Sequence, residues 1–130
     1  MAVKEILIID DDPDDQDLFL AALANINDGF IFKTASDGEE GYTRLEEKKD
    51  CPDLILLDLN MPLLDGESFL KKIKANEQLR HIPVVIFSTG SNFGGKRSTI
   101  IRLGAKDYIT KPNSFGELEG LLRRTLEDFM

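Results

Sequence analysis

The sequence predicts an α/β domain in which a five-stranded parallel sheet is covered by helices. Three observations lead there. Short apolar runs alternate five times with longer stretches of helical periodicity, with no repeat or low-complexity linker between them. Two of the runs, Asp53 to Leu57 and Pro83 to Phe87, are apolar beyond their first residue, as strands buried on both faces require. The 130 residues suit one compact domain, so a single domain over 1–130 is expected, with no output module after it.

The first strand is Glu5 to Ile9. An acidic turn follows, and a helix opens at Pro13 with Asp12 as its N-cap, because proline is tolerated at the first helical position. Leu18, Phe19, Ala22, Leu23 and Ile26 recur at helical spacing and are expected to form its buried face, with Leu20 off that face, where an ordinary exposed leucine is the favoured reading over a kinase-docking contact. Phe30 to Ala35, broken by Lys33, reads as an edge strand. Asp37 and Glu40 then start a second helix carrying Tyr42 and Leu45.

The third strand, Asp53 to Leu57, leads to Asp58. After a loop containing Pro62, Asp65 caps a third helix in which Phe69 and Ile73 lie one turn apart. The fourth strand leads to Ser88 and Thr89. A short helix carries Ile100, Ile101 and Leu103, and Gly104 is placed to end it with positive φ. Lys106 to Thr110 is the second edge strand. Ser114 and Glu117 form a capping box for the last helix, whose Leu118, Leu121, Leu122, Thr125 and Phe129 share a face.

Composition narrows the function. A hydrophobic fraction of 42% with 31% charged residues is that of a soluble globular protein. With 24 acidic against 16 basic residues, the net charge of -8 argues against binding a phosphate backbone and leaves protein partners or a cation open. Cys51 is the only cysteine, so no internal disulfide forms and a reducing compartment fits. Neither a signal-peptide core nor an apolar run of membrane-spanning length occurs, so a cytoplasmic location is expected.

In open parallel sheets, ligands sit beyond the carboxyl ends of the strands. Those ends carry Asp10 and Asp11, Asp58, Ser88 and Thr89, and Lys111. Carboxylates gathered on one rim repel each other and call for a hard divalent ion; Mg²⁺ accepts one or two carboxylates plus water and phosphate oxygens, with Asp11 and Asp58 as expected direct ligands. An aspartate attacking a phosphoryl group needs the transferring oxygens neutralised. Lys111 offers a point charge and Ser88 a hydroxyl for that purpose.

Four segments carry a further resemblance. Ile-Ile-Asp-Asp-Asp-Pro at 8–13, Leu-Leu-Asp-Leu-Asn-Met-Pro at 56–62 with Asp65-Gly66 after it, Val-Val-Ile-Phe-Ser-Thr at 84–89, and Gly-Ala-Lys-Asp-Tyr-Ile-Thr-Lys-Pro at 104–112 resemble the receiver domains of bacterial two-component response regulators. The resemblance runs from Lys4 to about Phe129 and implies a flavodoxin-like fold with strand order 2-1-3-4-5. It makes Asp58 the phosphoacceptor from the phosphohistidine of a sensor kinase or phosphotransfer protein. It also implies an Mg²⁺ site of Asp10 (through water), Asp11, Asp58 and the Asn60 backbone carbonyl, with Lys111 on the phosphoryl group and the Lys111–Pro112 bond often cis. Ser88 and Tyr108 are similar to the family's switch pair, in which the hydroxyl moves toward the phosphate and the ring turns inward; Ser88 replaces the commoner threonine.

The acidic turn and Phe-Ser-Thr-Gly-Ser-Asn at 87–92 look most like small stand-alone regulators, including those working with phytochrome-type kinases. Such a protein catalyses only its own phosphorylation and dephosphorylation. A downstream protein is expected on the surface of the fourth helix, fifth strand and fifth helix, with the chain a monomer or a phosphorylation-dependent dimer.

Rival readings fail on particular residues. A phosphohydrolase with an aspartate nucleophile needs a second Asp two residues on, where Asn60 stands. Counting from Asp58, an EF-hand would need Gly at Leu63 and Glu at Phe69. No glycine-rich phosphate loop follows the first strand. His81 has no partner at ligand spacing and reads as a surface residue. Asp12, Asp14 and Asp15 read as a solvated cap and first turn favoured by the helix dipole, and so stay outside the site.

Overall fold

A computed structural model describes residues 5–26, 29–47, 51–59, 65–88 and 95–127. Along them run β1 (Glu5–Ile9), α1 (Pro13–Ile26), β2 (Ile31–Ala35), α2 (Gly38–Glu47), β3 (Leu54–Asp58), α3 (Gly66–Ala75), β4 (Val84–Ser88), α4 (Gly95–Arg102), β5 (Asp107–Thr110) and α5 (Phe115–Glu127). The strands form one parallel sheet in the order β2-β1-β3-β4-β5. The chain thus runs outward from β1 to β2, then crosses back past β1 to β3, and the strand order reverses between β1 and β3. Such a reversal opens a crevice at the carboxyl ends of the two strands.

Side chains alternate across a strand, so each central strand feeds two cores. Ile6, Ile8, Leu54, Leu56, Val85 and Phe87 pack beneath α1 and α5 with Phe19, Leu23, Leu118 and Leu122. Leu7, Ile9, Ile55, Leu57, Val84 and Ile86 pack on the opposite face with Leu45 of α2, Phe69 and Ile73 of α3 and Ile100 of α4. That two-sided burial is why β1, β3 and β4 read as continuous apolar runs. The edge strand β2 shows the contrast: Ile31 is 56% exposed and Lys33 pairs with Glu5 at 3.3 Å.

The helix starts are fixed by the side chains that the sequence places there. Asp12 Oδ1 accepts from the Asp14 N–H at 2.9 Å, Asp37 Oδ1 from Glu40 N–H at 2.8 Å, Asp65 Oδ1 from Ser68 N–H at 2.8 Å and Ser114 Oγ from Glu117 N–H at 3.2 Å. Each satisfies a backbone donor that the first turn leaves without a partner. Gly104 ends the turn after α4 at φ 112°, a conformation that side chains disfavour, with the Lys74 stem close against it.

Two expected helix faces are corrected. On α1, Leu18 is 45% exposed while Leu20 is half-buried against the α1/α5 core, so the buried stripe is Phe19, Ala22, Leu23 and, in part, Leu20 and Ile26. Leu20 is covered because α5 packs alongside α1 and its Leu118, Leu122 and Leu126 belong to the core that Leu20 joins. On α5, Leu126 is buried with Leu118, Leu122 and Thr125, whereas Leu121 is only half-buried. Phe129 lies outside the described residues.

Candidate functional site

The strand ends converge. Asp10 follows β1 directly and its N–H donates to Ala35 O at the end of β2, at 3.1 Å. Asp58 is the last residue of β3, and the next residue, Leu59, donates its N–H to Phe87 O of β4 at 3.0 Å. Lys111 follows β5 and is held by its N–H on Ser88 O at 2.8 Å. Beside Asp58, α3 approaches closely: Gly66 donates its N–H to Leu59 O at 2.9 Å, and a methyl group at Gly66 would lie 2.8 Å from Leu59 Cα and 2.9 Å from Asp58 O.

One carboxylate oxygen from each of Asp10, Asp11 and Asp58 lies within 4.8 Å of the others. Asp10 is 2% exposed, Asp58 is 6% exposed, and Asp11 is open to solvent. Three acceptor-only groups at that spacing repel each other, and oxygen-only donors of this kind suit a hard divalent ion such as Mg²⁺. The residues therefore fit the cation that the sequence led us to expect. Asn60, whose carbonyl was expected among the ligands, lies outside the described residues, as does Thr89.

Lys111 Nζ stands among the acids at 2.9 Å from Asp10 Oδ2, 2.9 Å from Asp15 Oδ2 and 3.6 Å from Asp58 Oδ1. Burial works against its charge. The hydrogen bonds to Asp15 and Asp10, with the charges of Asp10 and Asp58, outweigh that burial and hold its pKa above the usual lysine range. For Asp10, burial dominates and raises the carboxyl pKa, although the Asp12 N–H at 3.0 Å and the Lys111 ammonium pull the other way.

Ser88 is fully buried at the end of β4, and Tyr108 on β5 is 3% exposed. Tyr108 pairs with Ile86 in register, so Ser88, two residues beyond Ile86, points to the same face of the sheet as the ring. In this structure Tyr108 packs in the core beneath α4 with Ile100. No peptide bond among the described residues is cis, Lys111–Pro112 included, which corrects that expectation. His81 is exposed, as the sequence suggested.

Two residues were missed. Asp15 was assigned to a solvated first turn, yet it pairs with Lys111 and its side chain is only 28% exposed. Gln16 Nε2 donates to Asp10 O at 2.7 Å and to Ala35 O at 3.1 Å, clipping the start of α1 to the ends of β1 and β2. Nothing in a linear reading marks them, because an acid in a first helical turn is accounted for by the helix dipole alone.

Comparison with known proteins gives a consistent answer. The model of the response regulator receiver domain matches residues 6–123. The chain is 36% identical over 95% of its length to the probable C4-dicarboxylate response regulator DctR of Halalkalibacterium halodurans, covering 52% of that protein. It is 35% identical over 92% of its length to the transcriptional regulatory protein PrrA of Mycobacterium tuberculosis, covering 50% of that protein. The chain thus spans about half the length of these curated relatives.

Among solved structures, it is similar to the phosphorylated cyanobacterial phytochrome response regulator RcpA, with TM-score 0.87 and 34% identity over 97% of this chain and 93% of that one. The Mn²⁺-bound response regulator Rcp1 follows the same fold with TM-score 0.83 and 29% identity over 93% of this chain and 90% of that one. Sheet order, strand-end acids and sequence matches agree that the chain belongs to the response regulator receiver family of two-component signalling.

Proposed function

We propose that Asp58 accepts a phosphoryl group from the phosphohistidine of a sensor kinase or phosphotransfer protein, in an Mg²⁺-dependent reaction that switches protein contacts. The observation that supports it is the Lys111 ammonium 3.6 Å from Asp58 Oδ1, with oxygens of Asp10 and Asp11 within 4.8 Å of the Asp58 carboxylate. A carboxylate oxygen of Asp58 attacks phosphorus, the P–N bond breaks, and its electron pair leaves on the imidazole nitrogen. The product is a mixed anhydride, which water later cleaves at phosphorus to return the carboxylate and inorganic phosphate.

Each neighbouring residue has a part. Asp10, Asp11 and Asp58 hold the cation, together with the Asn60 carbonyl that the family resemblance adds. When bound, Mg²⁺ supplies positive charge to the transferring oxygens. Lys111 covers another oxygen from the β5 side, and the Ser88 hydroxyl donates to a third. The burial of Asp10 and Asp58 keeps water scarce around the nucleophile, which strengthens these charge contacts.

The output follows from the position of Ser88 and Tyr108 on the sheet face beneath α4. A phosphoryl group adds about -1.5 to -2 charges and three acceptor oxygens. Drawing the Ser88 hydroxyl toward them biases the packing around Tyr108 and the surface made by α4, β5 and α5, where a partner protein reads the change. The similarity to the phytochrome response regulator RcpA favours a phytochrome-type kinase as the donor class.

Incubation with acetyl phosphate and Mg²⁺, followed by intact mass measurement, tests the acceptor. One added phosphate is expected in the wild type and none in Asp58→Asn. An unmodified wild type, or an Asp58→Asn variant that still gains the phosphate, sinks the assignment.

A further inference from the structure

The Lys111 ammonium has three N–H donors. Two lie at full hydrogen-bond distance from Asp10 Oδ2 and Asp15 Oδ2, both at 2.9 Å, while Asp58 Oδ1 is farther at 3.6 Å. The ammonium therefore sits closer to two other carboxylates than to the proposed acceptor. A phosphoryl group on Asp58 adds negative charge on that side and draws the ammonium toward it, and any such shift stretches at least one of the two shorter bonds.

The surroundings decide which bond gives way. Asp10 is 2% exposed and its other oxygen is fixed by the Asp12 N–H at 3.0 Å, so losing Lys111 would leave a buried carboxylate oxygen with little solvent to replace that bond. Asp15 is 28% exposed and lies in the first turn of α1, where solvent and the helix N-terminus stabilise a carboxylate whose partner has left. Its backbone cannot follow the lysine, because the neighbouring Gln16 amide pins the helix start to Asp10 O and Ala35 O. An incoming phosphoryl group also repels the Asp15 carboxylate while attracting the ammonium between them.

We propose that Asp15 is a positioning residue for the phosphoryl switch: it holds the Lys111 ammonium back in the unphosphorylated site and releases it when Asp58 carries a phosphoryl group. This rests on the phosphoacceptor reading above. No covalent bond changes in the exchange; one ion pair replaces another. Asp15 thereby opposes the phosphorylated form, and the strength of its hold on Lys111 sets part of the balance between the two forms.

Beryllofluoride, which occupies a phosphoryl site on a carboxylate without a donor, is a suitable probe, titrated with Mg²⁺ present and followed by ¹⁹F NMR. Asp15→Asn is expected to bind it about fivefold more tightly than the wild type, the size of effect typical of a partly exposed ion pair. In a Lys111→Met background, the same substitution should change affinity by less than about twofold, because the residue acts through the lysine. Equal tightening in both backgrounds would mean plain charge repulsion and overturn the proposal. So would an Asp15→Asn variant with unchanged or weaker affinity.

If Lys111→Met binds too weakly to measure, a crystal structure of the beryllofluoride-bound wild type decides. The distance from Nζ to the nearer Asp15 oxygen is expected to exceed about 4 Å, the limit of an ion pair; a retained short contact refutes the exchange. A wild type that binds no beryllofluoride and gains no phosphate removes the phosphoacceptor reading itself, and the role of Asp15 with it.

Discussion

Asp10 carries its charge in nearly dry surroundings, and burial raises its pKa above the usual aspartate range despite the Asp12 N–H and Lys111 beside it. Its carboxyl group therefore takes up a proton more readily in the fold than in the unfolded chain. Acid lowers the cost of burying it, and that cost grows as pH rises above the unfolded value. Asp10→Asn should melt above the wild type at pH 7 in cation-free buffer, by about 4 °C for each kcal/mol recovered. The gain should shrink as pH falls toward 4. Paired melting curves across that range check it, and a variant that melts lower at pH 7 contradicts the argument. Mg²⁺ should raise the wild-type melting temperature, since a ligand of the folded state stabilises it by mass action. At this scale Asp10, Asp11, Asp58 and Lys111 were legible because each ends a strand in sequence. Asp15 and Gln16 were not, since the direction of a first-turn side chain depends on the strand ends that tertiary packing sets beside it.

At the scale of elements, the junction of β3 and α3 controls where the proposed acceptor stands. Any Cβ at Gly66 would meet backbone atoms of Asp58 and Leu59, which cannot rotate aside as a flexible side chain can. Gly66→Ala is expected to cost about 1–3 kcal/mol by overpacking, read as a lower denaturant midpoint. It should also slow acetyl-phosphate labelling of Asp58 by shifting the strand end; full stability with unchanged labelling would show that the contact is slack. Caps were readable from sequence at Asp12, Asp37, Asp65 and Ser114 because a cap is a local bond between near neighbours. Helix faces were less so. Leu18 and Leu20 differ by two positions, and only the packing of α5 alongside α1 decides which one is covered.

Across the whole molecule, the alternation of apolar runs with helical stretches was enough to predict a parallel sheet with covered faces. The order 2-1-3-4-5 was not contained in that pattern and came through family resemblance, because periodicity is local and strand order is not. The sheet also divides the site's tasks. Residues alternate so that Asp10 and Asp58 continue the series facing α1 and α5, whereas Ser88 continues the series facing α4 with Tyr108. Phosphate chemistry and its readout thus meet only at the strand tips. Ser88→Ala should leave Asp58 labelling intact while reducing the backbone NMR shift changes at 107–110 on phosphorylation. Unchanged shifts there in the phosphorylated wild type would defeat the link. The Gln16 clip bears on how fast any of this can happen. With the start of α1 fastened to two strands, an exchange of partners at Lys111 requires side-chain torsions and no movement of the helix. It therefore asks for no slow rearrangement of the fold and weights the reacting populations by the relative strength of the competing ion pairs.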